Sequence, residues 1–236
     1  MSGRAGFRGA TWGCRWVARG DEVCVIDHFA TARRDNLVEG PALILVEGSI
    51  ADPGVVDGAF ESFEPAVVVH AAASYKNPDD WYQDGLTNVV GTANVVQAAK
   101  RAKIGRFIYF QTALGYGLVP LEQPITLSHP MRPEGSSYAI SKTAAESYVF
   151  LSGLDAISFR LANAYGPRNL SGPPPTFYQR LTTGKPCFVV DTRRHFSIVG
   201  DLGGRATAAV RGPGRPGPAH GRPGHRPRAQ GDFRPT

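Results

Sequence analysis

The sequence predicts an α/β fold built on a doubly wound parallel sheet. Three apolar runs, 23–26, 66–70 and 106–112, are rich in β-branched or aromatic residues and indicate buried strands. A long helical pattern that continues to about Lys100 separates the second run from the third, and another helical segment includes residues 137–146. Strands that alternate with helices are typical of a parallel sheet covered by helices on both faces.

Two of the predicted strands end in features of a ligand site. Thr112 ends the third run, and a hydroxyl at the carboxyl end of a parallel strand faces the ligand crevice of an open α/β sheet. The second run ends at His70, which we interpret as a packed or hydrogen-bonded imidazole. It is followed by three residues small enough for a flat cofactor to approach the backbone, Ala71, Ala72 and Ala73.

Tyr138 and Lys142 are one helical turn apart in the next helical segment. A phenol with a pKa of about 10 is a poor base at neutral pH, and lowering that pKa to about 7 takes roughly 4 kcal/mol. A cation one turn away can supply part of this stabilisation. The same spacing fits a surface tyrosine beside a solvated lysine. The order of these residues along the chain, with Tyr138 and Lys142 after Thr112, favours a shared functional site. Asn88, in the preceding helical pattern, could hold a kink or a water, or lie on the polar face.

In this order, the residues resemble the extended short-chain dehydrogenase/reductase family, specifically its nucleotide-sugar epimerase/dehydratase branch, over residues 2–202. Residues 2–9 stand where the family has its phosphate-binding turn, and 20–27 match its second strand. The resemblance implies a Rossmann-like fold, NAD as cofactor, a sugar nucleotide as substrate, and allows a homodimer in the intact family. Asp27 follows the last glycine of the turn by about 18 residues and would bind the adenosine ribose. A carboxylate there repels a 2′-phosphate and favours NAD over NADP.

The resemblance also assigns a role to each matching position. Tyr138 would be the acid/base, Lys142 would lower its pKa and hold the nicotinamide ribose, and Thr112 would bond the sugar. The substrate would contact Thr112, Asn163 and Arg194. The predicted cofactor-binding residues are Gly3, Gly6, Phe7, Gly9, Asp27, Ser49, Ile50, Ala71, Ala72, Ala73, Asn88, Tyr138 and Lys142.

The residues after Thr112 narrow the reaction type. Relatives that eliminate water have Asp-Glu directly after this threonine, and decarboxylating relatives keep a glutamate nearby, since a second proton must be moved. This chain has Ala113 and Leu114 there. The simplest remaining chemistry is reversible oxidation at C4 of the sugar, as in a 4-epimerase. The alternatives are a dehydratase or keto-reductase of the same branch, or a catalytically inactive fragment that acts as a binding protein.

Three segments are predicted: an NAD-binding domain over 1–165, a partial substrate-binding lobe over 166–202, and a tail over 203–236. The tail has seven arginines and one acidic residue, so it carries the whole net charge of +6. Its Gly/Pro/Arg composition favours disorder over a nucleic-acid-binding arm, because within the tail no aromatic residue precedes Phe233. The family pattern fades within 195–205, which favours an out-of-frame reading beyond that point.

The amino terminus also departs from the family pattern. The phosphate-turn match begins directly after Met1, so the first strand is predicted to be missing, and residues 10–16 replace the aliphatic helix face expected there. A missing central strand predicts that the chain alone is poorly soluble, binds NAD weakly and has no epimerase activity.

Other global features narrow the class of protein. No run of about 18 apolar residues and no signal-peptide pattern occurs, which predicts a soluble cytoplasmic protein without a membrane partner. Three widely spaced cysteines, an odd number, indicate reduced thiols and no zinc site, and we predict no metal.

Overall fold

The computed structural model describes residues 7–30, 34, 37, 40–75, 77–167, 169, 172–189 and 196–211. The expectation of a missing first strand falls on residues outside this part of the chain, as does most of the predicted tail.

All strand pairs among the described residues are parallel, as the sequence predicts. β1 pairs with β2, β3 with β4, β4 with β5, and β6 with β7. The predicted apolar runs correspond to β1, β3 and β4. The strands are β1 (Val23–Asp27), β2 (Leu43–Glu47), β3 (Val67–His70), β4 (Arg106–Thr112), β5 (Ala156–Leu161), β6 (Asn163–Tyr165) and β7 (Phe196–Ile198).

Helices follow most of these strands. A π-helix over Asp84–Val90 runs directly into α4, and short 3-10 turns cover Ala113–Tyr116 and Pro133–Gly135. The α-helices are α1 (Phe7–Val17), α2 (Pro53–Phe63), the single turn α3 (Trp81–Gln83), α4 (Gly91–Arg101), α5 (Ser137–Leu151), α6 (Pro173–Thr182) and α7 (Val199–Arg211).

Side chains alternate between the two faces of β1, β3, β4 and β5, and each face has its own apolar layer. Ile26, Val68 and Phe107 pack with α2, α4 and α5 on one face. Val25 and Ile108 pack with α1 and α7 on the other. Both layers include residues from β1 and from β3, so helices cover both faces, and the predicted doubly wound α/β fold is confirmed.

Helix α1 has an apolar face made of two tryptophans, where the family pattern predicts aliphatic residues. The rings of Trp12 and Phe110 stack with their centroids 4.4 Å apart. Trp12 Nε1 donates to the carbonyl of Val199 at 3.1 Å, and Trp16 Nε1 donates to Thr207 Oγ1 at 3.1 Å. Both tryptophans are buried, so indole rings replace the aliphatic side chains and the helix packs on the sheet.

Helix α7 continues to Arg211, so a helix covers the first residues of the segment that the sequence predicts as a tail from residue 203. Val199 is buried at the start of this helix, and Ala209 and Val210 pack against the same apolar layer near its end. The guanidinium of Arg106 donates to the carbonyl of Ala209. The composition of this segment predicts disorder, but these contacts stabilise it as a helix.

Candidate functional site

The strand ends form the edge of the sheet on which the site is built. Strands β3 and β4 are paired and parallel, so Thr112 and the loop of small residues after β3 lie at the same edge. Thr112 is the last residue of β4 and is buried. Its Oγ1 accepts the N–H of Leu114 at 3.2 Å, which caps the following 3-10 turn. The hydroxyl proton can therefore be donated to a bound oxygen.

Helix α5 carries Tyr138 and Lys142 one turn apart, as the sequence predicts. Ser136 caps this helix by accepting the N–H of Ala139 at 3.0 Å, which places Tyr138 in the first turn. Tyr138 is half-buried, and the ring of Tyr75 packs against it edge-on with a centroid distance of 6.4 Å. Lys142 is 1% exposed, so the interpretation as a solvated surface lysine is wrong.

Two side chains of β4 hold Lys142. Its Nζ lies 4.1 Å from the centroid of the Tyr109 ring. The carbonyl of Lys142 accepts both the Tyr109 hydroxyl at 3.1 Å and Gln111 Nε2 at 3.0 Å. Burial, followed by the charges of Tyr138 and Glu146, raises the pKa of Tyr109 well above its usual value. The Tyr109 phenol therefore stays protonated and remains a donor.

Asn88 lies in the π-helix, where Gly91 N–H bonds the carbonyl of Leu86, five residues back. Its amide is 1% exposed and bridges two elements. Oδ1 accepts the N–H of Ser74 at 2.8 Å, while Nδ2 donates to the Ser74 carbonyl at 3.1 Å and to Ser141 Oγ at 2.9 Å. Of the roles left open by the sequence, the structure excludes a position on the polar surface. Asn88 ties the loop after β3 to helix α5.

A second chain of hydrogen bonds links the π-helix to the end of β3. Thr92 Oγ1 donates to the carbonyl of Asn88 at 2.5 Å and lies 2.7 Å from His70 Nε2. Because the single hydroxyl proton of Thr92 goes to the carbonyl, His70 Nε2 is the donor in the second bond. Burial, and then the charge of Lys142, lowers the pKa of His70 well below its usual value. His70 is therefore a neutral, hydrogen-bonded imidazole.

Ser141, Thr92, Gln111 and Tyr109 are the site residues that sequence reasoning missed. Ser141 Oγ donates to the carbonyl of Tyr138 at 3.0 Å and links it to Asn88. The signal that could have identified Ser141 is its position as a polar residue on the same helical turn as Tyr138. The roles of the other three depend on packing between elements.

The predicted adenosine end of the site is described in part. Asp27 is the buried last residue of β1, and its Oδ1 accepts the N–H of Phe29 at 2.9 Å, which orients the carboxylate. Ser49 Oγ accepts the N–H of Ala51 at 3.2 Å. The side chain of Ile50 is 4% exposed and belongs to the apolar layer under α4.

Other predicted positions are farther along the chain or outside the described part. Asn163 is the half-buried first residue of β6 and pairs with Phe196 of β7. Phe7 and Gly9 belong to the first turn of α1. Gly3, Gly6 and Arg194 lie outside the described residues, so the phosphate turn and the diphosphate clamp remain predictions.

Hydrogen bonds through Gln111, Ser141 and the backbone therefore connect the segments that carry Thr112, Asn88, Tyr138 and Lys142. Within the described residues, no group of three or more His, Cys, Asp or Glu side chains could hold a metal ion. No helix in the same part of the chain is long and apolar enough to cross a membrane.

Two curated relatives are about one-third identical to this chain over the aligned residues. The UDP-glucose 4-epimerase of Mycolicibacterium smegmatis is 31% identical over 178 residues, which cover 71% of this chain and 56% of the relative. The UDP-glucuronic acid decarboxylase 1 of Arabidopsis thaliana is 36% identical over 182 residues, covering 71% and 40%. The chain thus spans about half the length of the curated relatives it matches.

Solved structures with the same fold are also similar in sequence. The Bordetella bronchiseptica enzyme WbmH in complex with NAD+ is 55% identical with a TM-score of 0.86, covering 89% of this chain and 70% of that one. The Thermus thermophilus UDP-glucose 4-epimerase in complex with NAD is 30% identical with a TM-score of 0.78, covering 88% and 73%. The sequence profile of the NAD dependent epimerase/dehydratase family matches residues 1–213, and the chain belongs to this family.

Proposed function

We propose that this chain carries the cofactor-binding and acid/base part of an NAD-dependent 4-epimerase of sugar nucleotides. The observation that carries the proposal is the link between helix α5 and the end of β4. Gln111 donates to the carbonyl of Lys142 and accepts the N–H of Thr112 through Oε1 at 2.7 Å. These two bonds tie the backbone of α5 at Lys142 to the backbone of β4 at Thr112, which supports a shared site for the phenol, the ammonium and the hydroxyl.

The donors and acceptors at the strand ends fit NAD. The carboxylate of Asp27 suits the hydroxyls of the adenosine ribose, and the ammonium of Lys142 suits those of the nicotinamide ribose. The side chains of Ala71–Ala73, directly after β3, are small enough to let a flat ring approach the backbone. When bound, NAD supplies the hydride acceptor and donor of the reaction. The family description and the NAD complexes of the similar structures support this cofactor.

In the proposed mechanism, Tyr138 as the phenolate removes the proton from the C4 hydroxyl of the sugar. The Lys142 ammonium favours the phenolate through its charge. Thr112 donates its hydroxyl proton to the same sugar oxygen and orients it. After the 4-keto sugar has turned over, Tyr138 returns the proton to that oxygen, and the configuration at C4 is inverted.

The segment after Thr112 favours epimerisation over elimination of water. Ala113 and Leu114 form the 3-10 turn here and offer no acid or base, whereas elimination needs a further group to move a second proton. Relatives of this chain include both UDP-glucose 4-epimerases and a dTDP-glucose 4,6-dehydratase of Streptomyces antibioticus. The epimerases among these relatives make UDP-glucose the first substrate to test.

The test uses the full chain with NAD and UDP-glucose, followed by chromatographic separation of the 4-epimer. If the site is intact and the unsubstituted chain turns over substrate, we expect Tyr138→Phe to abolish turnover and to leave NAD affinity, measured by calorimetry, within a few-fold. Tyr148→Phe is the matched control, because this tyrosine lies on the same helix and is exposed, and it should change neither quantity.

Each other outcome separates the alternatives. Retained turnover in Tyr138→Phe would exclude the assigned acid/base. A 4-keto-6-deoxy product would show a dehydratase, and net consumption of reduced cofactor with a 4-keto sugar would show a keto-reductase. NAD binding without turnover by the unsubstituted chain would favour the binding protein.

A further inference from the structure

We propose that Tyr109 and Gln111 are positioning residues for Lys142, with the Tyr109 ring fixing the ammonium beside Tyr138. The inference rests on the proposed function, in which Lys142 favours the phenolate of Tyr138. Neither residue is expected to touch substrate or cofactor. Both would act through the backbone and the side chain of Lys142.

The ring of Tyr109 contacts the buried ammonium of Lys142. Lys142 is 1% exposed and Tyr109 is fully buried, so the ammonium is shielded from bulk water. Its Nζ lies 4.1 Å from the ring centroid, well inside the roughly 6 Å within which the negative face of an aromatic ring attracts a cation. The ring therefore stabilises the ammonium at a defined position.

The hydroxyl of Tyr109 and the amide of Gln111 fix the backbone at the same residue. Tyr109 and Gln111 are two positions apart on β4, so they point to the same face of the sheet. Both donate to the carbonyl of Lys142. Gln111 Oε1 accepts the N–H of Thr112, which fixes the orientation of the amide so that Nε2 must face Lys142. Lys142 is thus held at its carbonyl by two donors and at its ammonium by a ring.

Charged and titratable groups lie on several elements packed around this ammonium. Tyr138 and Glu146 lie on its own helix, the buried Asp84 on the π-helix, His70 on β3, Tyr109 on β4 and Arg160 on β5. His70 is neutral, and Arg160 is paired with Glu146 at 2.9 Å. Tyr138 is the group of this set that the proposed function places beside Lys142, and its phenolate is the charge that the ammonium would favour. A loosened ammonium would therefore raise the pKa of Tyr138.

The experiment measures the titration of Tyr138 in the full chain without ligands. Phenolate absorbance is recorded against pH, and the same curve for a Tyr138→Phe derivative of each variant is subtracted to isolate Tyr138. We expect Tyr109→Leu, which removes the ring, to raise the midpoint by about one pH unit, a tenfold change. Tyr109→Phe keeps the ring and removes one of the two donors to the Lys142 carbonyl, so it should raise the midpoint by less than Tyr109→Leu. Lys142→Met is the positive control and should give the largest rise.

Gln111→Met tests the backbone contacts separately, because it removes both amide hydrogen bonds and keeps the ring. We expect NAD affinity to fall several-fold while the midpoint of Tyr138 rises by less than in Tyr109→Leu. This variant also keeps the test open where Tyr109→Leu gives no cooperative unfolding.

The named outcomes decide each part. Equal midpoints for the unsubstituted chain and a folded Tyr109→Leu would overturn the role of the ring, and an unchanged NAD affinity in Gln111→Met would overturn that of the amide. A rise in Tyr109→Phe as large as in Tyr109→Leu would assign the effect to the hydroxyl instead. Because the titration uses no substrate, absence of turnover in the unsubstituted chain would refute the epimerase without changing these results.

Discussion

The two faces of the parallel sheet are packed by different kinds of side chain. The face covered by α1 and α7 is held by large apolar groups, with the stacked rings of Trp12 and Phe110 at its centre. The face covered by α4 and α5 combines an apolar layer with buried polar groups, among them Asn88, Lys142 and Glu146. All groups of the candidate reaction that lie on helices are on this second face.

The difference shows that one face of the sheet supports the fold and the other positions the polar groups of the candidate site. Apolar contacts are non-directional, so the α1–α7 face can exchange aliphatic residues for indoles and still support the sheet. Hydrogen bonds have a defined geometry, so the α4–α5 face can hold an ammonium or an amide at a set position. We therefore expect substitutions on the first face to change stability and those on the second to change stability, ionisation and catalysis.

The largest effect should come from Trp12→Ala. Trp12 is 1% exposed and loses its stacking on Phe110 and its hydrogen bond to Val199, so the free energy of unfolding should fall by about 3 to 5 kcal/mol. Urea unfolding followed by fluorescence measures this change. Trp81→Ala is the matched control, since Trp81 is 71% exposed and should change stability by less than about 0.5 kcal/mol. A small loss for Trp12→Ala would mean that α1 does not stabilise the sheet.

Glu146→Gln should have the next largest effect. Glu146 is buried, its Oε1 accepts hydrogen bonds from Ser158 and Arg160 Nε, and its Oε2 accepts one from Arg160 Nη2. The amide nitrogen of a glutamine cannot accept the bond made to Oε2, and the side chain loses its charge. Leaving the buried guanidinium without a charged partner should cost about 3 kcal/mol. The exposed pair of Arg132 and Glu134 provides the control, because Glu134→Gln should cost at most about 1 kcal/mol. Similar losses in the two variants would show that burial adds nothing to the ion pair of Glu146.

Much of the fold could be predicted because its signals are local. The apolar runs that became β1, β3 and β4 can be read from consecutive residues, and so can the one-turn spacing of Tyr138 and Lys142. The carboxyl end of a strand is also a local feature, which is why Thr112 was placed correctly.

The remaining features depend on contacts between distant parts of the chain. Helix α7 is stabilised by the bond from Trp16 to Thr207, 191 residues apart. Local composition does not contain this contact, and for that reason the composition alone predicts a disordered tail here. The π-helix depends on Thr92, whose hydroxyl is placed by His70. The role of Gln111 likewise requires the packing of β4 against α5, which no local pattern indicates.

The smallest effect is a change in how stability depends on pH when His70 is replaced. The pKa of His70 is lowered in the folded chain from 6.5, so below pH 6.5 the unfolded chain binds a proton that the folded chain does not. Stability should therefore fall as the pH drops below 6.5, by at most about 1.4 kcal/mol over the first unit. In His70→Gln this part of the slope should disappear, and the two curves should run parallel above pH 6.5. Thermal unfolding at a series of pH values measures the slopes, with the exposed His28→Gln as the control that keeps the original slope. Parallel curves for His70→Gln and the unsubstituted chain below pH 6.5 would show that His70 takes up its proton in the folded state.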